Sequence, residues 1–266
     1  MDFTLLEKDT EDMKQSFILK NSVPAMANAL RRAMTDYVPT LAIETVEFRK
    51  NSSVLYDEIL AHRLGLIVLK TDLSTYVLPE KCKCKGEGCA HCQVKVTLKA
   101  RGPKIVYAKD MKINDPKIKP VYPKTPIVKL LKDQELEFEA IAILGQGRDH
   151  MKFAPGLVWY KYRPVIEISR TPDNAEEVVK SCPKKVFVVK NSKLSVDKER
   201  LFECHLCGAC QDISGGAVKL NEKDDEFIFY VESFGQLTCT EIINTAIDQL
   251  QEEVELFKKE FEEAIK

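Results

Sequence analysis

Eight of the chain's nine cysteines fall into two sets with the spacing of metal ligands, and this restricts the local fold more than any other feature. The first set is Cys82, Cys84, Cys89 and Cys92, four thiols within eleven residues. The second is Cys204, Cys207 and Cys210, with Cys182 standing upstream before Pro183. Thiolates packed this densely repel one another unless a cation neutralises them, and they oxidise readily when left bare. Metal sites are therefore the first reading, and each obliges its loop to close around one centre.

The first set has the form C-x-C-x4-C-x2-C, with the character of a knuckle. Gly86 and Gly88 permit the tight backbone turns that bring both pairs onto one ion, and Zn²⁺ bound tetrahedrally by four thiolates is the natural occupant. His91 lies between two ligands and competes with them, but four cysteines already close the shell. A closed shell leaves no position for water, so the expected zinc is structural. An empty or disulfide-bonded loop is the alternative.

Cys204, Cys207 and Cys210 form a C-x2-C-x2-C loop, and Cys182-Pro183 supplies the remote fourth ligand of the ferredoxin pattern. Two-residue gaps let one loop present three thiolates to three irons, while a cysteine at a helix end meets the fourth. Glu176 to Ser181 reads as that helix, and Val186–Val189 with Leu194–Val196 as a hairpin leading to the loop. A second cluster would need ligands where Pro172, Ala175, Val178 and Ser214 stand. One iron–sulfur cluster is expected, [4Fe–4S] rather than [3Fe–4S]. Zinc in the same ligands, or cysteines spaced this way by coincidence, are the competing accounts. Cys239 reads as a small core residue.

The 266 residues carry 40 Lys+Arg against 41 Asp+Glu, so no global electrostatic pull toward nucleic acid exists and direct sequence-specific DNA contact is not expected. Residues Met1 to Asp9 lack the basic start and apolar run of a signal peptide, and no stretch approaches a membrane span. Many cysteines without a secretory signal imply a reducing compartment; a cytoplasmic location is expected.

Along the chain, Phe17–Leu19 reads as a strand, followed by a helix opened by Ser22 and Pro24 and ended by Val38-Pro39. Val23, Met26, Ala27, Leu30, Met34 and Tyr37 give that helix one apolar face. A strand over Leu41–Arg49 and a short helix from Asp57 to Leu64, leading into the apolar run Leu66–Leu69, follow. Residues 94–144 are β-like, interrupted by a loop carrying Pro116, Pro120, Pro123 and Pro126. Gly145 to His150 begins like a nucleotide-binding glycine loop, but His150 replaces the third glycine, and a turn between strands is the better account. From Arg170 to Gly216 the character changes, marking an inserted module. Val218–Leu220 and Phe227–Val231 resemble a hairpin pair. A long helix then starts at a capping box, Thr238 to Glu241. Its heptad seam, Ile243, Ile247, Leu250, Val254, Phe257, Phe261 and Ala264, is more than one-sided packing needs, which places the helix at a subunit interface. His62, His91, His150 and His205 form no triad-like pattern, and the charges Asp57, Glu58, His62 and Arg63 read as the exterior of an amphipathic helix. No active site is read in this chain.

Several blocks in order resemble one family. They are Asn28–Met34 with Val38–Glu44, Ser53–Leu64, the knuckle at 82–92, Leu144–Pro155, the second cysteine set and the C-terminal helix. On these the chain is identified as similar to the D subunits of archaeal RNA polymerase, counterparts of the eukaryotic third-largest subunit and the bacterial α-subunit amino-terminal domain. The resemblance implies an α+β fold. A discontinuous dimerisation domain (1–46 and 217–266) would carry an inserted β-rich domain with the zinc knuckle (47–170) and a ferredoxin-like iron–sulfur module (171–216). It implies a non-catalytic assembly platform that pairs with a small L-type subunit and docks the large catalytic subunits and other small subunits of a nucleotidyltransferase. The alternatives are an iron–sulfur electron-transfer protein, which leaves some two hundred residues unexplained, and a metal-stapled adaptor of another complex.

Overall fold

The structure, a computed structural model, describes residues 1–9, 11 and 13–265. In chain order the elements are β1 (Asp2–Asp9), β2 (Lys14–Lys20), α1 (Pro24–Arg32), β3 (Thr40–Asn51), α2 (Asp57–Gly65), β4 (Gln93–Arg101), β5 (Lys104–Tyr107), β6 (Lys112–Ile113), β7 (Pro126–Leu130), β8 (Glu135–Gly145) and β9 (Gly156–Ile168). There follow α3 (Ala175–Ser181), β10 (Phe187–Lys190), β11 (Lys193–Val196), α4 (Ala209–Ile213), β12 (Val218–Ser233) and α5 (Cys239–Ala264). The fold mixes helices and sheets. It divides into two compact units, one of residues 1–8, 15–29 and 159–230, the other of 9–14, 30–158 and 231–266. No described helix is long and apolar enough to cross a membrane.

The second unit is built on the sheet β3-β8-β4-β6, with the smaller pair β5-β7. In β8 the alternation of the sequence becomes alternation of burial: Leu136, Phe138, Ala140, Ala142 and Leu144 face the core. Val94, Val96, Leu98 and Ala100 of β4 join them, and Leu60 and Leu64 of α2 are fully buried in the same cluster. The opposite face carries ion pairs between strands: Lys99 with Glu137 at 2.9 Å, and Arg49 and Lys95 with Glu139 at 2.6 and 3.2 Å. Exposed pairs of this kind contribute little stability and mainly keep the face soluble. The residues read as the exterior of α2 behave that way: Arg63 donates to the Pro126 carbonyl at 2.6 Å, and Asp57 accepts from Asn51 at 2.7 Å.

The Gly145–His150 segment is a packed turn. A Cβ on Gly147 would lie 2.0 Å from the Thr35 carbonyl oxygen, so only glycine allows this approach. Gln146 donates to the Tyr37 carbonyl at 2.7 Å, and the Arg148 guanidinium lies over the Tyr37 ring. Near the same core, Asp72 accepts from the Ser74 hydroxyl, the Thr75 hydroxyl and Lys117. The Ser74 hydroxyl above all holds its carboxyl far below the usual carboxylate range. A carboxylate depressed in the folded state stabilises the fold above its unfolded pKa of about 4, and that contribution is lost as pH falls below it. Asp72→Asn should therefore lower the urea midpoint at neutral pH, and the gap from wild type should narrow as the titration is repeated below about pH 4.

Two elements depart from the sequence reading. Val218–Leu220 and Phe227–Val231 are not a hairpin but one sixteen-residue strand, β12, because no glycine or proline interrupts the polar stretch between them. In the run after α2, Ile67 and Leu69 join the core, and Leu69 makes a bridge to Pro120. The apolar face of the first helix is divided: Ala27, Leu30 and Met34 are buried while Val23 and Met26 stand out to solvent. That helix also widens into a π-turn over Ala33–Tyr37 before Val38 turns extended. The first unit contains the sheet β1-β2-β12-β9, in which Phe17 stacks on Phe229 at 5.0 Å and Tyr160 packs edge-on to Phe227. The strands β1, β7 and β9 had no counterpart in the sequence reading.

Candidate metal centres

The knuckle lies between a short 3-10 turn, Pro79–Lys81, and the start of β4. Its four sulfurs all fall within 4.8 Å of one another. Neighbouring pairs stand at 3.4 Å (Cys82–Cys84), 3.5 Å (Cys82–Cys89 and Cys84–Cys92) and 3.8 Å (Cys89–Cys92). Four sulfurs at about 2.3 Å from one Zn²⁺ form a tetrahedron with edges of about 3.8 Å. A disulfide would bring a pair to about 2.0 Å, and every cysteine here is free. The donor set therefore fits a single tetrahedral cation.

Local backbone geometry produces this closure. Lys85, Gly86 and Gly88 have φ of 54°, 85° and 94°, turning the chain twice within four residues. The Lys85 N–H bonds the Cys82 carbonyl at 2.9 Å, and the Cys92 N–H bonds the Cys89 carbonyl at 3.1 Å. Backbone N–H groups also point at sulfur: Cys89 N–H to Cys92 Sγ at 3.2 Å, and Gly88 and Gly86 to Cys84. Contact with Cys82, then with Cys92, pulls the Cys84 thiol down to about 6, whereas desolvation pushes Cys92 up to about 12. Without a cation, one thiolate is thus held at the expense of its neighbours. His91 offers no ligand atom to the group of four. Lys81, immediately before the first ligand, pairs with Glu252 of α5 at 2.6 Å.

The second set is assembled by four short elements of the first unit. Cys182 caps α3 in extended conformation before Pro183, and Cys204 follows the 3-10 turn Leu201–Glu203. Leu206 and Gly208 take left-handed φ of 60° and 80°, reversing the loop on either side of Cys207, and Cys210 sits in the first turn of α4. Cys182, Cys204 and Cys210 share a small apolar cluster with Val178, Val186, Phe187 and Leu194, while Cys207 is exposed. Burial pushes the Cys204 and Cys210 thiols up, and the charges of the other cysteines push in the same direction. The Val186 N–H meets Cys182 Sγ at 3.4 Å, and the Leu206 and Gln211 N–H groups meet Cys204 and Cys210. Among the described residues only the knuckle closes three or more ligand atoms to within 4.8 Å, so this second set is the wider one.

A sequence model of the RNA polymerase Rpb3/RpoA insert domain matches residues 43–155. The match encloses the knuckle and stops before the second cysteine set. Among curated proteins, DNA-directed RNA polymerase subunit Rpo3 of Methanosarcina acetivorans is 40% identical over 258 residues, covering 96% of each chain. Subunit Rpo3 of Methanopyrus kandleri is 35% identical over 95% of this chain and 93% of its own length. The chain belongs to the Rpo3 family. That of Methanosphaera stadtmanae is 39% identical, with 96% of each chain covered. The family resemblance read from the sequence blocks is thereby established.

Ligand spacing is local, so the four knuckle thiols that the structure brings together were legible. The donors around the sulfurs were not, since a backbone N–H carries no sequence signature. Lys161 was also missed. From β9 it donates to the carbonyl of Cys204, forty-three positions away in sequence, at 2.9 Å. Burial pushes this ammonium below its ordinary pKa, and the Cys204 charge pulls it back up. Cys239 is buried with its sulfur 3.0 Å from the Met13 carbonyl oxygen, in keeping with a core role.

Proposed function

We propose that this chain is a non-catalytic assembly subunit of DNA-directed RNA polymerase, pairing with a small L-type subunit and docking the two large catalytic subunits. The observation carrying this reading is the exposed side of α5. Ile242 and Ala246 are buried against the chain's own core, where α5 packs on the Ala33–Tyr37 turn. The heptad seam is turned elsewhere: Ile247, Val254, Phe257 and Phe261 are 43–70% exposed. An apolar stripe of this length on a charged helix is the signature of a partner helix or sheet. The relatives' name as polymerase subunits supplies the complex.

On this reading residues 1–46 with 217–266 form the dimerisation domain, 47–170 the inserted β-rich domain and 171–216 the iron–sulfur module. Cys82, Cys84, Cys89 and Cys92 hold one Zn²⁺, supported by the tetrahedral sulfur edges. Cys182, Cys204, Cys207 and Cys210 hold one iron–sulfur cluster, [4Fe–4S] in preference to [3Fe–4S]. Their wider spacing suits thiolates that reach different irons better than four that share one ion, and the N–H donors to sulfur stabilise thiolate charge. Both groups supply cross-linking of loops that have few apolar contacts of their own.

Purification of the tagged chain from its native cells tests the assignment: polymerase subunits should co-purify in fixed ratio. A redox partner in their place would favour the electron-transfer reading. The zinc site is tested separately. A Cys82→Ser/Cys89→Ser variant should contain about one zinc fewer per chain, with circular dichroism of the sheet preserved. Unchanged zinc content would remove the assignment.

A further inference from the structure

The carbonyls that flank the first loop cysteine are tied to the main sheet by a half-buried cation. Lys161 Nζ donates to the Phe202 carbonyl at 2.5 Å and to the Cys204 carbonyl at 2.9 Å. The same ammonium lies 5.3 Å from the centre of the Tyr230 ring, whose hydroxyl donates to the Phe202 carbonyl at 3.1 Å. Tyr230 is itself stacked on Trp159 at 5.2 Å. The Arg163 guanidinium covers the Phe202 ring and pairs with Glu226. Two strands, β9 and β12, thus converge on a three-residue turn with little support of its own.

A half-buried ammonium is an expensive way to fasten a turn, because its desolvation must be offset by hydrogen bonds and by nearby negative charge. The hydrogen bonds are present; negative charge is supplied by the Cys204 thiolate and also by Glu203. A cluster core held by four thiolates is net anionic, and a fixed cation beside it favours its bound and more reduced forms. We infer that Lys161 is a positioning and charge-compensating residue of the Cys182/Cys204/Cys207/Cys210 site, clamping the Cys204 carbonyl so that its thiolate stays in place. This rests on the iron–sulfur reading of those four cysteines.

The test uses the full chain, purified anaerobically and reconstituted with ferrous iron and sulfide. Iron and sulfide are first counted in wild type; their absence would overturn the cluster reading and this inference with it. Given a loaded wild type, Lys161→Gln should lose its visible cluster absorbance in air about tenfold faster, because the charge-assisted character of its bonds to the Phe202 and Cys204 carbonyls is lost. Its midpoint potential should move to a more negative value, since removing a cation disfavours the reduced cluster. Lys161→Arg should restore both. Tyr230→Phe, which removes a donor but no charge, should weaken retention and leave the potential unchanged. A Lys161→Gln protein that keeps the wild-type potential, or one as air-stable as wild type, overturns the inference. So does an arginine variant that behaves like the glutamine one.

Discussion

Replacing Leu250 and Phe257 of α5 with Asp is expected to abolish pairing with the proposed small L-type subunit while leaving the chain folded. Phe257 is 70% exposed, with its ring 6.3 Å from that of Phe261 on the same helix. Leu250 is half-buried, so the double change should cost the isolated chain no more than about 1–2 kcal/mol. In a partner interface the same positions would be desolvated, and each unpaired carboxylate there costs roughly 3 kcal/mol or more. Two such substitutions should weaken pairing by about ten-thousandfold. A pull-down should lose the small subunit, while zinc content and the urea midpoint stay close to wild type. If the partner is retained, the seam is not the pairing surface.

The periodicity of α5 was plain in the sequence, but its orientation was not. Two apolar stripes lie on the helix: Ile242 with Ala246, and the seam from Ile243 to Phe261. Only the packing of Ile242 and Ala246 on the core shows which stripe is left for a partner. Strands with one buried face, such as β4 and β8, were legible because their burial alternates with period two. β1 was not, since Phe3 and Leu5 remain exposed and only its neighbour β2 carries a continuous buried run. β9 was hidden by Pro164 and by the cations Lys161 and Arg163, whose partners are distant in sequence. The capping box at Thr238 was read correctly because both of its bonds span three residues: the Glu241 N–H to the Thr238 hydroxyl at 3.2 Å and the Thr238 N–H to the Glu241 carboxylate at 2.7 Å. Local chemistry was readable, and long-range choices between equivalent patterns were not.

If Cys182, Cys204, Cys207 and Cys210 hold an iron–sulfur cluster as proposed, its loss should loosen residues 171–216 and weaken the proposed docking of the large subunits, while pairing through α5 survives. The segment's core is small: seven of its residues are in the buried cluster, joined by Val218 of β12, and two of the seven are the proposed ligands Cys204 and Cys210. A core of that size supplies little of the free energy needed to order the surrounding loops, so ligation contributes most of the rest. The hairpin β10-β11 is only four residues per strand, too short to hold shape alone. With Cys204→Ser/Cys207→Ser the thiolate cross-link disappears, and the Lys161 and Tyr230 bonds to the Phe202–Cys204 turn are left to restrain a loop without a centre. Limited proteolysis should then cut within 171–216 at least tenfold faster than in wild type, which corresponds to local opening made easier by about 1.4 kcal/mol. Recovery of the large subunits in a pull-down should fall, and that of the small subunit should hold. A variant that resists protease as well as wild type and assembles a complete polymerase would show that the cluster does not brace the module.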